Sequence, residues 1–259
     1  MAGGLGLFLY GMTILSSGLE KASGGLMEKV LAKMTGNVFS GILFGALVTA
    51  AVQSSSATTV IVVGLVNAGL LKLKGAVGII MGANIGTTMT TQILRLTNLE
   101  GDSSGPAILQ LCKPSIFSCI SIIPVKRIPM PIIISPTFAS AFPIIMGTNI
   151  GTCATPLISS IGASKNAKRA AMIHFYFNLI GTIIFLIGVY IIQYTIGFPF
   201  WNNSFSTGSI ANFHTIFNVV VTIIFLPFYT VLEKLAEWTI RDKKNAEDDD
   251  TCHKALLPI

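Results

Sequence analysis

Between Met34 and Leu71 the chain carries no charged residue, and another uncharged run extends from Gly75 to Leu94. At about 1.5 Å of helix rise per residue and about 30 Å of hydrocarbon, the second run matches one crossing and the first is roughly twice as long as a crossing needs. The longer run must therefore fold back on itself. Its midpoint falls at Val52 and Gln53, at the head of Gln53-Ser54-Ser55-Ser56. Composition agrees with a chain that belongs in lipid: only 11% of residues are charged and mean hydropathy is +0.74.

The placement of charge excludes several functions. Carboxylates occur at Glu20, Glu28, Glu100 and Asp102, and then not again until Glu233. A cation held or a proton relayed by an intramembrane Asp or Glu is thereby excluded across the middle of the chain, so carbonyl, amide and hydroxyl oxygens must serve instead. No carboxylate pair, metal cluster or Ser-His-Asp set lies in the spans, which argues against an enzyme and against a resident cofactor. The net charge of +6 sits at segment ends, as topogenic charge facing the cytoplasm and not as a nucleic-acid surface. Cys112 and Cys119 are two helical turns apart, out of disulfide reach, and Cys153 and Cys252 stand alone. Leu5–Leu19 reads as a retained first span and not as a cleaved leader.

A decapeptide then appears twice. Ile79-Ile80-Met81-Gly82-Ala83-Asn84-Ile85-Gly86-Thr87-Thr88 recurs as Ile144-Ile145-Met146-Gly147-Thr148-Asn149-Ile150-Gly151-Thr152-Cys153. Lys72 and Lys74 precede the first copy, whereas Lys165, Lys168 and Arg169 follow the second. If lysine-rich ends share one face, the copies run in opposite directions, as in inverted-repeat transporters that bind substrate near the midplane. Two glycines and an Asn at mid-span predict irregular backbone in each copy; close helix packing is the competing reading.

The chemistry concentrates in three places. At Gln53, Ser54, Ser55 and Ser56, a helix restarting after the fold-back would offer free N–H groups, a positive dipole end and three hydroxyls to a small anion such as phosphate; a plain solvent-facing turn between two crossings is the alternative. Thr58, Asn84, Thr87, Thr88, Asn149 and Thr152 could replace sodium's hydration shell, or the Asn residues could bond neighbouring helices. His174 with Asn178, and His214 with Asn218, repeat an i, i+4 pair on the two later spans, Ala170–Tyr194 and Ile210–Leu232; they would carry a proton or touch an anion, or lock helices together through the Asn.

These residues carry a resemblance. Gln53-Ser54-Ser55-Ser56-Ala57-Thr58-Thr59 followed by Gly82-Ala83-Asn84-Ile85-Gly86-Thr87-Thr88 resembles the first repeat of the type II sodium-coupled phosphate symporters and their bacterial relatives, as do Ser160–Ala171 and His214–Asn218. The resemblance implies that each repeat supplies a broken hairpin and that two Gln-Ser-Ser-Ser tips meet to hold phosphate and sodium. This chain departs from that pattern: the position equivalent to Gln53 in the second copy falls at Ser118, in Phe117-Ser118-Cys119-Ile120-Ser121, and no second tetrad is present.

The resulting expectation is an all-α integral membrane protein with inverted-topology repeats and a re-entrant helical hairpin. Residues 1–96 form the first repeat, 97–139 a Pro-rich connection, 140–232 an incomplete second repeat and 233–259 a charged tail. The chain is expected to lie in the cytoplasmic membrane with its C-terminus inside, to use sodium as coupling ion and inorganic phosphate as substrate, and to bind no nucleic acid. Alternatives are a non-transporting remnant or anion sensor, a carrier of another tetrahedral anion such as sulfate or arsenate, and a homodimer or a pairing with a complete paralogue.

Overall fold

The computed structural model describes residues 33–99, 137–203 and 207–241 and isolated positions before residue 33. The proposed first span Leu5–Leu19, most of the connection 97–139 (including Ser118, Lys126 and Arg127), and the tail beyond Arg241 lie outside the described residues. The described residues are helical throughout, with no strand. In order they form α1 (Val38–Val52), α2 (Ser55–Asn67), α3 (Leu73–Leu99), α4 (Phe138–Gly151), α5 (Ala154–Ser159), α6 (Lys165–Thr195) and α7 (Thr207–Phe225). A 3-10 turn over Leu226–Phe228 then leads into α8 (Tyr229–Thr239).

The fold-back falls where the uncharged run places it. Asn37 caps α1 through its side-chain oxygen on the Phe39 N–H, and α1 ends at Gln53, whose φ of 58° is left-handed. A non-glycine residue there costs energy, so the turn is held by its surroundings. Ser54 then caps α2, its hydroxyl oxygen accepting from the Ala57 N–H at 3.2 Å. At 15 and 13 residues the two arms are about 22 Å and 20 Å long, short of the 30 Å core. Each arm by itself is shorter than one crossing, which favours a re-entrant hairpin over a plain turn between two complete spans. α2 closes in a Schellman turn: Gly69 takes φ 74°, its N–H bonds the Val66 carbonyl, and the Leu70 N–H bonds that of Leu65.

Irregular backbone is not found in the first Gly-x-Asn-Ile-Gly-Thr segment. α3 is continuous through Gly82 to Thr88. Its glycines serve close packing instead: a Cβ at Gly82 would overlap the Ile42 carbonyl, one at Gly45 would overlap the Ile79 carbonyl, and one at Gly86 would come within 2.6 Å of the Thr49 Cβ. Gly41, Gly45 and Thr49 on α1 thus mesh with Gly78, Gly82 and Gly86 on α3, the small-residue interface expected between helices in lipid. The second copy shows only a local irregularity, with Thr152 and Cys153, between two helical stretches, still in right-handed helical conformation. α4 stops at Gly151 and α5 begins at Ala154.

The two copies point in opposite directions. Asn67, just before α3, accepts a 2.8 Å bond from the Ser164 N–H, just before α6, so both helices start at one level. α4 starts at the other level, where the Phe138 and Ala139 N–H groups bond the carbonyls of Asn203 and Trp201 beyond the far end of α6. α4 therefore runs toward the level that α3 leaves. Lys72, Lys74, Lys165, Lys168 and Arg169 gather at that level, and Phe138, Phe198, Phe200, Trp201 and Phe213 stack at the opposite one. Basic residues at one end and aromatic rings at the other mark the two membrane interfaces. Among the described residues, Phe138–Ser159, Lys165–Thr195 and Gly208–Thr239 are long and apolar enough to cross.

α3 continues to Leu99, past residue 96, and the segment from Glu233 is not all linker. α8 buries Leu232 and Ala236, and Arg169 donates from Nε (3.1 Å) and Nη2 (2.8 Å) to the Ile240 carbonyl at its end. Tyr176 and Thr239 share a 2.6 Å hydroxyl bond beside it.

Candidate functional site

Many of the polar residues singled out in the sequence are buried in an otherwise apolar bundle, while Thr87, Thr152 and His214 are half-buried. Ser55, Thr58, Asn84, Thr88, Asn149, His174, Asn178 and Asn218 are all buried, while Gln53 is exposed and Ser54 and Ser56 are half-buried at the tip. The tip faces the second copy: Ser56 Oγ points at the Thr152 carbonyl at 3.5 Å, at the α4–α5 junction.

At the tip, Ser54 is spent on capping, and the Thr58 N–H bonds the Ser54 carbonyl. The Ser55 and Ser56 N–H groups have no partner among the described residues, since they belong to the first turn of α2, where a helix cannot supply one. With the dipole end of α2 behind them, these N–H groups and the Ser55 and Ser56 hydroxyls form an arrangement able to accept an anion. Thr58 is occupied within the hairpin: its hydroxyl donates to the Ser54 carbonyl at 3.0 Å and accepts from Thr49 at 3.0 Å. Thr49, fully buried, is a site residue that sequence reasoning missed. Its signal was its place four residues after Gly45, on the stripe that meets α3.

The amides of the two copies do the same local work. Asn84 Nδ2 donates to the Ile80 carbonyl and Asn149 Nδ2 to the Ile145 carbonyl, each at 3.0 Å. Thr87 and Thr88 donate to Ala83 and Ile85, and Thr152 donates to Asn149. Neither Asn donates its amide to a neighbouring helix. Only Asn149 reaches across, its Oδ1 standing 3.1 Å from His214 Nε2 on α7. Cys153, at the position of Thr88, is a buried free thiol whose Sγ lies 3.6 Å from the His174 carbonyl on α6.

The Asn178 and Asn218 amides each bond within their own helix, while the Asn178 side chain also lies beside Cys153 of the second copy. Asn178 Nδ2 donates to the His174 carbonyl (3.0 Å) and Asn218 Nδ2 to the His214 carbonyl (2.9 Å), each on its own helix. A cross-helix tie runs through His214. A further tie joins α3 to α7: Gln92 Nε2 bonds Asn212 Oδ1 at 3.2 Å and Thr215 Oγ1 at 2.9 Å. No periodic pattern of residues announces that contact, because Gln92 lies beyond the motif. No group of three or more His, Cys, Asp or Glu suited to a metal ion occurs among the described residues.

The fold-back and the first motif both fall within residues 7–123, which match the family described as Na+/Pi-cotransporter. The chain is 25% identical to an uncharacterized protein YqeW of Bacillus subtilis over 91% of this chain and 96% of that protein. It is 22% identical to a putative inorganic phosphate export protein YjbB of Escherichia coli over 92% of this chain and 54% of that protein. Over 37% of the chain it is 41% identical to sodium-dependent phosphate transport protein 2A of Rattus norvegicus, covering only 15% of that protein. No solved structure matches. The alignments to the two bacterial proteins run over 297 and 302 positions, more than the 259 residues here, so those proteins carry residues without a counterpart in this chain. With the Ser-rich hairpin and the first Gly-x-Asn-Ile-Gly-Thr segment inside the matched residues and membrane-length apolar helices after them, this multi-pass membrane protein is similar to the Na+/Pi-cotransporter family over residues 7–123, a little under half of its length.

Proposed function

We propose that the chain moves inorganic phosphate across the cytoplasmic membrane with sodium as the coupling ion. The observation that carries this reading is the tip of the hairpin, where the N–H groups of Ser55 and Ser56 stand in the first turn of α2 and Ser56 Oγ lies 3.5 Å from the Thr152 carbonyl of the second copy. Gln53, Ser54, Ser55 and Ser56 would surround phosphate. The lone pairs of Thr58, Asn84, Thr87, Asn149 and Thr152 would take part in holding sodium, since their hydrogens already point into backbone carbonyls. His214 would couple the second copy to α7 through Asn149. The protein acts as a carrier, without catalysis or a resident cofactor, and its C-terminal end lies on the cytoplasmic, lysine-rich side.

The test is uptake of radiolabelled phosphate by vesicles containing the purified chain. Uptake should need sodium and should fall about tenfold in Ser55→Ala, the loss of one charge-assisted hydrogen bond. Uptake that persists in choline, or is untouched by the substitution, overturns the reading. Competition by sulfate or arsenate tests whether another tetrahedral anion is the substrate.

A second reading is favoured by the missing second tetrad and by the relatives' unmatched residues: a non-transporting anion-sensing protein, alone, as a homodimer or beside a complete paralogue. Saturable phosphate binding with no flux in the same vesicles would select it.

A further inference from the structure

The interior of α6 and α7 holds polar atoms that neither helix satisfies. Both ring nitrogens of His174, Asn178 Oδ1, Thr182 Oγ1 and Asn218 Oδ1 are buried and have no hydrogen-bond partner among the described residues. His174, Asn178 and Asn218 are 0% exposed and Thr182 is 5% exposed. Thr182 is notable beside Thr222, which does satisfy its hydroxyl by donating to the Asn218 carbonyl at 2.7 Å. Burying an uncharged polar group without a partner is unfavourable, and lipid offers no remedy.

These atoms lie along one seam. The antiparallel pair α6 and α7 meet through Phe177 with Phe225 (ring centroids 5.4 Å apart), Gly181 with Val221, and Phe185 with Phe217 (5.2 Å). His174, Asn178 and Thr182 are one turn apart on α6, and each of Asn178, Thr182 and Asn218 immediately follows a contact residue. In antiparallel right-handed helices, residues one step beyond the contact line lie on the same side of it. That side belongs to the second copy, since Cys153 reaches the His174 carbonyl and Asn149 reaches His214.

We propose that this seam binds ordered water molecules, which run between α6 and α7 from the α4–α5 junction toward Asn218. The mixture of atoms selects water over a cation. The two amide oxygens only accept, and a cation or a water could serve them, but an imidazole carries at least one N–H in every protonation state and needs an acceptor. Water alone supplies both a donor and an acceptor, and buried waters typically satisfy two to four otherwise orphaned groups. The inference concerns hydration of α6 and α7 and stands whether or not the chain carries phosphate.

Radiolytic hydroxyl-radical footprinting of the full chain in nanodiscs tests it, because only side chains next to water are modified. His174 should be modified about tenfold more than Met81, an intrinsically more reactive side chain that is equally buried (0%) but among apolar neighbours. The modification should be the same in sodium and in choline, and should drop about tenfold in Asn218→Leu, or in Thr182→Val if that variant misfolds. A His174 as silent as Met81 means a dry seam and overturns the proposal. Modification seen only in choline means that a cation occupies the seam, and modification unchanged in the variants means that water reaches His174 elsewhere; either result also overturns it.

Discussion

Gly82 and Gly86 press into the backbone and side chains of α1, whereas Gly147 and Gly151, at the matching places in α4, have nothing among the described residues within 4 Å of where a Cβ would stand. The two decapeptides differ only at Ala83/Thr148 and Thr88/Cys153, so local sequence does not explain the difference. The partner does. α3 has α1 beside it with its own small residues at Gly41 and Gly45, and no equivalent helix lies against α4 among the described residues. What both copies keep is the Asn amide bonded to the isoleucine carbonyl one turn back. Glycine in this motif is thus a packing requirement imposed from outside, and Asn is a property of the segment itself.

The contrast can be broken most forcefully at the glycines. Gly82→Val should cost about 3 kcal/mol and leave little folded protein, because the added atoms meet backbone that cannot move aside. Gly147→Ala should leave the unfolding midpoint in detergent unchanged or raise it, by up to about 1 kcal/mol of helix propensity. Equal damage from both would show that α4 is covered as tightly as α3.

The amides should separate the copies by a smaller margin. Asn149→Leu strands His214 Nε2 and should cost about 1–2 kcal/mol. Asn84→Leu removes only an own-helix bond and should cost about 0.6 kcal/mol, as is usual for hydrogen bonds within lipid. Thermal unfolding of the two variants side by side reads this out, and an Asn84 effect equal to that of Asn149 would point to a cross-helix role in the first copy as well. Thr49→Val should have the smallest effect, about 0.5 kcal/mol, because Thr58 keeps its bond to the Ser54 carbonyl. A larger loss would mean that the Thr49–Thr58 pair, and not the glycine mesh, holds the hairpin closed.

Much of this was legible in the residues. An uncharged run too long for one crossing fixes a fold-back, and its midpoint located Gln53; lysines before one copy and after the other fixed their opposite directions. Glycine at mid-span was ambiguous because it weakens a helix and also lets another helix approach. Which effect prevails for Gly82 was decided by Gly41 and Gly45, far upstream, and nothing within the decapeptide carries that information. The Asn178 and Asn218 amides turn to their own helices for a similar reason. An i, i+4 spacing puts an Asn amide as close to the carbonyl of its own helix as to any neighbour, and the nearer partner won.

The shortness of the hairpin has an electrical consequence. Starting from the lysine-rich face, α1 rises about 22 Å before Gln53, leaving about a quarter of a 30 Å hydrocarbon layer between the tip and the opposite face. An ion that reaches the tip from that opposite face crosses about the same fraction of the membrane potential, which is worth about 0.6 kcal/mol per charge at 100 mV. Occupancy of the tip would then respond to voltage before any helix moves, and the chain would sense the energised state of its membrane through the depth of a single turn.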